Sequence, residues 1–530
     1  MGRGAVRAKE RAEAQRRRAA ADEPMFANRT RPPMGRSVAQ RRAKAKRRDV
    51  KLSEPGKINR VDITSNENSN KTISVTSGVV NLKYYESLLQ DGVVLDLTFV
   101  DSGDAIDGEP AVSGLPINGE ENVQAQFTDN HGNSLIFNNE KYNSFYVRKV
   151  TPIGNDSTKS AVNLQLCTKE HIRNDKGSSV AGRLDGKISL SVKSILQDKE
   201  YLGSLKDLDI EETSNNVNYY GASDKPYYVL NRISKDAIPS GASGGQSYTG
   251  NSAGFLFYEN YDSINFKSID SLFGQDKKLS IVYNNSPGEA NTPKGYDVKA
   301  LTYDKDNTMD ITKKLKAGAW NTKNIQFNPF TKEYNVSPLS AEEKEDYLEL
   351  AGKSFPVFNK EFDRGEENKN FSRTTFLVNV PGGLVEGTGL GVDQQQLAKS
   401  QIFNYDAKSI MNQSIMRYNQ LFSQRVTITI PGDFSLRAGD AVFFDVYELK
   451  RSKTKACGDA LDKVTGGQYI IATLCHYMSP NATYSKLVLV RDSVGRKGNH
   501  TSEKSRPSSK GFTENFHGVK VPRSSGGNFL

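Results

Sequence analysis

Cysteine is scarce in this chain. Cys167, Cys457 and Cys475 are the only three in 530 residues, and an odd number so widely scattered supports no disulfide framework and fits folding in a reducing cytosol. No stretch approaches the roughly 20 consecutive apolar residues that cross a bilayer. The N-terminus carries positive charge with no apolar segment behind it, so neither a membrane span nor a secretory signal is expected and the protein should be soluble. Tryptophan occurs once, at Trp320. Histidine occurs five times, at positions 131, 171, 476, 500 and 517; two of these lie in a polar tail, which leaves little basis for a Ser-His-Asp or Cys-His arrangement. The glycine and serine patch SGASGGQSYTGNSAG at 240–254 lacks the spacing and the terminal Lys-Ser/Thr of a phosphate-binding loop, so it reads as a hairpin or surface loop.

What is plentiful is aromatic and unevenly charged. With 23 Tyr, 24 Phe and 36% hydrophobic residues, the composition suits a strand-rich globular body with polar loops, and the length allows two to four domains. The formal charge of +10 is concentrated at one end. Residues 1–48 hold 16 Lys or Arg against 4 Asp or Glu, a net of +12, which leaves −2 for the remainder. The clusters are Arg16, Arg17 and Arg18, then Arg41, Arg42, Lys44, Lys46, Arg47 and Arg48, set among Ala and Gln. Such a segment buries too little surface to order alone. It reads as a partner-binding arm or a solubilising tail, with nucleic acid, an acidic protein surface and a membrane surface all open as partners. No aromatic platform accompanies it, which weakens the nucleic-acid reading.

Along the chain, residues 1–49 are a basic extended arm and 50–72 a polar linker. KTISVTSGVVNL, GVVLDLTFVD, SLIFNNEKYNSFYVRKVTPI and SAVNLQLCTKEHI then read as strands of a first β-barrel, residues 73–186, because β-branched and aromatic residues recur between Gly, Asn and Asp turns. A mixed α/β middle region follows at 187–370. Leu190, Ile195, Leu196, Tyr201 and Leu202 suggest one amphipathic helix, PYYVLNRISKDAI a second starting near Pro226, and AEEKEDYLEL at 341–350 another. GFLFYENYDSINFKSIDSLF gives strand, turn, strand and a helical start. In 371–496, SRTTFLVNV reads as a strand. Ile410, Met411, Ile415, Tyr418, Leu421 and Phe422 fall at helical spacing, and four strands come next: alternation at Val426, Ile428 and Ile430, a Pro-Gly-Asp turn, a strand ending in Phe443, Phe444 and Val446, and two strands within TGGQYIIATLCHYMSPNATYSKLVLVRDSVGR. These form a second barrel, possible segments of the middle region included. Residues 497–530 are a polar tail. The fold class is therefore mainly β with α/β insertions.

No chemistry rises from this pattern. Cys475, His476 and Cys457 suggest zinc only superficially, since neighbouring strand residues point to opposite faces and there is no paired CxxC. Carboxylates abound, but no spacing fixes a glycosidase pair. No catalytic residue, metal site or cofactor is assigned.

One resemblance spans residues 187–275 and 371–496. SVKSILQDKEYLGSLKDLDIEETSN, DKPYYVLNRISKDAI, GFLFYENYDSINFKSIDSLF, IPGDFSLRAGDAVFF and GGQYIIATLCHYMSPNATYSKLVLVRDSVG, in that order, resemble the central baseplate hub subunit of contractile-tailed bacteriophages, of the cyanophage or marine type. The resemblance implies a homotrimeric ring in which each chain supplies two related tube-type β-barrels, adapting a threefold cell-puncturing spike to a sixfold tail tube and nucleating tube assembly. It implies a spike or tail lysozyme-like protein, tail-tube initiator or adaptor proteins and surrounding baseplate proteins as partners. It also implies a place in the virion's tail baseplate after synthesis in the host cytoplasm, and DNA passing through the bore without specific recognition. Another tube or baseplate adaptor, or a cell-wall hydrolase, is the alternative. The arm departs from this picture: its charge inside the bore would retain DNA, so an outward route into acidic grooves of neighbours is expected.

Overall fold

The computed structural model describes residues 53–67, 71–101, 103, 110–155, 159–217, 219–240, 252–284, 292–293, 295–306, 311–328, 332–341, 348–357, 359, 361, 373–378, 407–447, 461–462, 464–498, 512–514 and 520–522. The chain begins, among these, with eight strands: β1 (Lys57–Thr64), β2 (Thr72–Ser74), β3 (Val79–Ser87), β4 (Val94–Asp101), β5 (Asn122–Thr128), β6 (Ser134–Phe137), β7 (Phe145–Asn155) and β8 (Ser160–Thr168), with a short helix α1 (Ala111–Gly114) between β4 and β5. Inward residues alternate along each strand, as the period of a half-buried strand requires. Leu82 and Tyr84, Leu95, Leu97 and Phe99, Val123 and Phe127, and Val162, Leu164 and Leu166 fill one core. β1 lies inside the segment expected to be a linker. Its ladder to β5 and its buried Val61 and Ile63 were obscured in the sequence by the Asn, Ser and Lys around them.

The middle region contains α2 (Lys169–Lys176), β9 (Val180–Leu184), α3 (Ile188–Gln197), β10 (Leu208–Ile210), β11 (Tyr219–Asp224), α4 (Pro226–Ser234), β12 (Phe255–Glu259), β13 (Ile264–Ser268) and α5 (Ile269–Phe273). Pro226 occupies the first turn of α4, where its missing N–H costs nothing. Helix α3 buries Ile188, Val192, Ile195 and Leu196. Leu190, expected on that apolar face, is exposed instead, and Tyr201 and Leu202 lie beyond the helix end.

A second barrel starts at β14 (Leu279–Tyr283), before the boundary expected at 371, and continues with β15 (Val298–Lys299) and β16 (Thr302–Asp306). An insertion holding α6 (Ile311–Ala317), β17 (Asn321–Asn328), β18 (Glu333–Ser340), β19 (Arg373–Val378) and α7 (Ala407–Gln420) separates these from β20 (Gln424–Pro431), β21 (Ala441–Val446), β22 (Gly467–Met478) and β23 (Thr483–Arg491). LSIVY reads as any short apolar run, and only its pairing with the distant β21 shows where it belongs. Most of the helix expected at 341–350 lies outside the described residues. Two more strands, β24 (Phe512–Glu514) and β25 (Lys520–Pro522), pair antiparallel in the segment expected to be an extended tail.

The two barrels share one strand order. In each, the second strand is broken: β2 pairs with β1 and, after a 3-10 turn at Thr76–Gly78, β3 pairs with β4. Likewise β15 pairs with β14 and, across Ala300 and Leu301, β16 pairs with β20. With each broken strand counted once, both barrels have six principal strands in the cyclic order first, second, third, sixth, fifth, fourth. The first strand runs antiparallel to its neighbours in one barrel and parallel in the other. The six-residue connection between β3 and β4 corresponds to the whole insertion between β16 and β20.

Candidate functional site at the junction of the barrels

β22 belongs to both barrels. Its first residues, Gly467–Ile470, pair with β21, a bulge follows between Ile471 and Thr473, and the remainder pairs with β3 from Thr473↔Ser87 to Met478↔Leu82. One strand therefore makes the two barrels a single sheet. The loop at residues 432–440 adds a second weld. Phe434 is buried in the first barrel's core, edge-on to Phe127 at 5.8 Å between ring centroids, while Leu436 two residues on belongs to the second barrel's core. Two glycines allow this close packing. A Cβ on Gly432 would stand 2.4 Å from Thr483 Cγ2, and Gly439 adopts φ +87 against the Tyr258 ring, a left-handed conformation that favours glycine.

Three buried charge clusters clamp the parts together. At the junction, the Glu86 carboxylate accepts hydrogen bonds from Tyr84 Oη (2.9 Å), Tyr261 N (2.9 Å) and Ala438 N (2.7 Å). Arg437 donates through Nε to Asp262 (3.1 Å) and through Nη1 to the Phe434 and Leu436 carbonyls (both 2.7 Å), with its guanidinium 4.6 Å from the Tyr261 ring centroid. Burial raises the Glu86 carboxyl, although Arg437 and the two amides oppose it. His476, fully buried, faces the same cluster. Its Nδ1 lies 2.8 Å from Ser485 Oγ, and burial, reinforced by Arg437, pushes its pKa down to about 3.

Between the first barrel and the middle region, the Lys206 ammonium joins Glu170 (3.0 Å) and Glu259. Glu259 also accepts from Val93 N (3.3 Å) and Thr168 Oγ1 (3.1 Å), and Glu170 from Ser204 Oγ (2.6 Å). Burial opposes a charge on Lys206, but the two carboxylates outweigh it and hold the ammonium protonated. Burial keeps Glu259 above the usual range, whereas at Glu170 burial is outweighed by the Lys206 ammonium together with the hydrogen bonds from Ser204 and the backbone, and the carboxyl is lowered.

The third cluster uses the RDSVGR segment that ends the second barrel. Arg417 of α7, fully buried, donates to Asp270 of α5, to Asp492 (2.7 Å) and to the Glu349 carbonyl (3.1 Å). Arg491 donates to the Gly466 carbonyl (3.0 Å) and to that of Val464, and covers the Tyr469 ring. Ser493 Oγ accepts from Gly352 N (2.6 Å), and Arg496 forms a bidentate pair with Asp445 at 3.1 and 3.0 Å. A fork-to-carboxylate pair of this kind adds directional specificity.

Cys475 and His476 lie on opposite faces of β22, the thiol half-buried and the imidazole sealed in the core, and burial raises the Cys475 thiol. Cys457 and the basic positions Arg16, Arg17, Arg18, Arg41, Arg42, Lys44, Lys46, Arg47 and Arg48 lie outside the described residues, as do residues 241–251 of the glycine patch at 240–254. Among the described residues no group of three His, Cys, Asp or Glu is placed to hold a metal ion. Sequence reasoning missed Glu86, Lys206, Glu259 and Arg417. The one local signal was a charged residue inside or closing an otherwise apolar strand, as in FLFYE.

No family model matches the chain. Over 316 residues it is 23% identical to a protein of Vibrio phage KVP40 described as a probable baseplate hub protein, covering 58% of this chain and 66% of the relative, just under two thirds of its length. Among solved structures, the 43 kDa tail protein of prophage MuSo2 from Shewanella oneidensis matches with a TM-score of 0.44 at 10% identity over 82% of this chain and 98% of the other. A tail protein from Neisseria meningitidis MC58 matches with a TM-score of 0.42 at 10% identity over 82% and 96%. The chain is mainly β and is similar, over 316 residues, to a phage protein described as a probable baseplate hub protein.

Proposed function

We propose that this chain is the structural hub of a contractile phage tail baseplate, in which copies form a ring, each contributing two barrels of the same strand order, and that the ring joins a cell-puncturing spike to the tail tube. The observation that carries the reading is the shared strand β22. It fixes two barrels of identical strand order in one sheet, so three chains present six equivalent barrels to a sixfold tube while keeping threefold symmetry for a spike. The relative described as a baseplate hub protein supports the same reading.

The role is architectural and non-enzymatic, and the partners are the spike, the tube initiator and the surrounding baseplate proteins. DNA passes through the bore unread. The basic arm runs outward into acidic grooves of neighbours, because +12 per chain in the lumen would hold the passing polyanion. Arm density inside the lumen in a virion map overturns that route.

Mass measurement of the purified chain, alone and mixed with the spike protein of the same phage, tests the hub. A trimer that captures a trimeric spike is expected, whereas a stable hexamer that ignores the spike marks a tube or adaptor component instead. Clearing of bacterial cell wall in a zymogram by the isolated chain contradicts the non-enzymatic role.

A further inference from the structure

The internal repeat leaves two strand edges in equivalent places. In the second barrel, β22 leaves its neighbour β21 after the Ala441↔Ile470 pair, bulges between Ile471 and Thr473, and spends residues 473–478 on β3 of the first barrel. In the first barrel, β7 leaves β5 at the Asn122↔Tyr146 pair and bulges between Val147 and Lys149. From there it runs on as residues 149–155 with one edge bonded to β8 and, among the described residues, no strand on the other. The strand that should receive it is the equivalent of β3 in the second barrel, namely β16. β16 pairs with β20 on one side, and among the described residues no strand lies on its other side.

The free stretch of β7 is not built as a finished surface. Ile153 is 60% exposed, and Lys149 and Pro152 are also exposed. Pro is confined to edge strands because it cannot donate to a ladder, and an open edge is a template for another chain. On its own unpaired side, β16 exposes Asp304.

We propose that copies of this chain join head to tail by antiparallel pairing of β7 of one copy with β16 of the next, repeating between molecules the β22–β3 junction found within each. This deepens the ring reading above and rests on it. The register follows from the repeat. Thr302↔Thr429 corresponds to Asn81↔Thr98, and Ile470 corresponds to Tyr146 through their shared position opposite the fourth strand. β7 carries a further bulge between Pro152 and Gly154 that β22 lacks, so Gly154 opposite Ala161 matches Tyr477 opposite Tyr484. Tyr477↔Lys83 therefore translates to Gly154↔Asp304 of the next copy, and Met478↔Leu82 to Asn155↔Tyr303. Within each copy the strands β16, β20, β23, β22, β3, β4, β8 and β7 are already contiguous, so this contact extends one sheet around the assembly. A heterologous contact of this kind makes a ring when its rotation closes.

The test is a Gly154→Cys, Asp304→Cys chain under mild oxidation, with the parent chain and an off-register Lys149→Cys, Asp304→Cys chain as controls. Directly opposed strand residues stand close enough for a disulfide, while residues four positions off register do not. Disulfide-linked multimers are expected from the first chain alone. A second variant, Ile153→Lys, should shift sedimentation toward monomer without changing the melting profile, because the side chain is exposed in the single chain. Rings that form normally yet fail to cross-link overturn the β7–β16 pairing and leave the hub reading standing. A parent chain that stays monomeric alone and with its spike overturns both.

Discussion

At the scale of single residues, the buried ionisable groups make pH the most direct probe. His476 has an ordinary pKa near 6.5 when unfolded and about 3 in the fold. Between those values the unfolded chain binds the proton that the folded chain refuses. Stability contributed by the neutral imidazole is therefore complete above pH 6.5 and falls as pH drops, by about 1.4 kcal/mol per pH unit. His476→Asn should lose that component. Chemical unfolding at pH 7 and pH 4.5 should show a smaller acid-induced loss in the variant than in the parent, and equal losses would contradict a buried neutral His476. Lys206→Met is expected to cost about 3–5 kcal/mol, because it strands Glu170 and Glu259 without their cation. The cost should be smaller at pH 5 than at pH 8, since two uncompensated buried carboxyls take up protons more readily in the fold than in the unfolded chain. Denaturant midpoints at the two pH values measure this. Little of it was legible beforehand. The sequence placed Cys475 and His476 on opposite strand faces, but partners such as Lys206 and Glu259 are brought together only by tertiary packing.

At the scale of elements, the loop at 432–440 and strand β22 decide whether the barrels behave as one body. Phe434→Ala removes a ring from the first barrel's core that is supplied by a loop of the second, and it should destabilise by about 3–5 kcal/mol. Because the cavity lies in the weld, we expect more than lower stability: a single unfolding transition in the parent should separate into two in the variant. Differential scanning calorimetry reads this, and a single shifted transition would show that β22 alone suffices. The sequence announced both elements as a Pro-Gly-Asp turn and two apolar strands, since alternation and turn chemistry are local signals. It did not announce that Phe434 and Leu436 enter different cores, because a hydrophobic residue in a turn does not declare which sheet will cover it. Strand β1 was missed for the converse reason, its three apolar residues Ile58, Val61 and Ile63 being interrupted by Asn59, Arg60 and Asp62.

At the scale of the whole molecule, function and charge separate into different parts of the chain. The order of strands, the shared β22 and the edges of β7 and β16 that carry no strand among the described residues all belong to the nearly neutral body, whereas the +12 arm ends before the first described strand. The division was partly readable. Charge runs need no fold to be counted, and the barrel-forming strands showed their alternation, but the insertion at 307–423 hid β14–β16 from the barrel they complete. If the body alone carries assembly, deleting residues 1–48 should leave the mass of the assembled ring per chain changed only by the deleted segment. The same deletion should abolish the salt-sensitive share of binding to other baseplate proteins. Exposed ion pairs weaken beyond a Debye length of about 8 Å at physiological ionic strength, so that share should fall steeply with added salt in the full-length chain and be absent from the truncated one. Pull-down from baseplate intermediates across a salt series measures it. A truncated chain that no longer forms rings would place the arm in the contact between copies, and the pairing of β7 with β16 would then be insufficient for assembly.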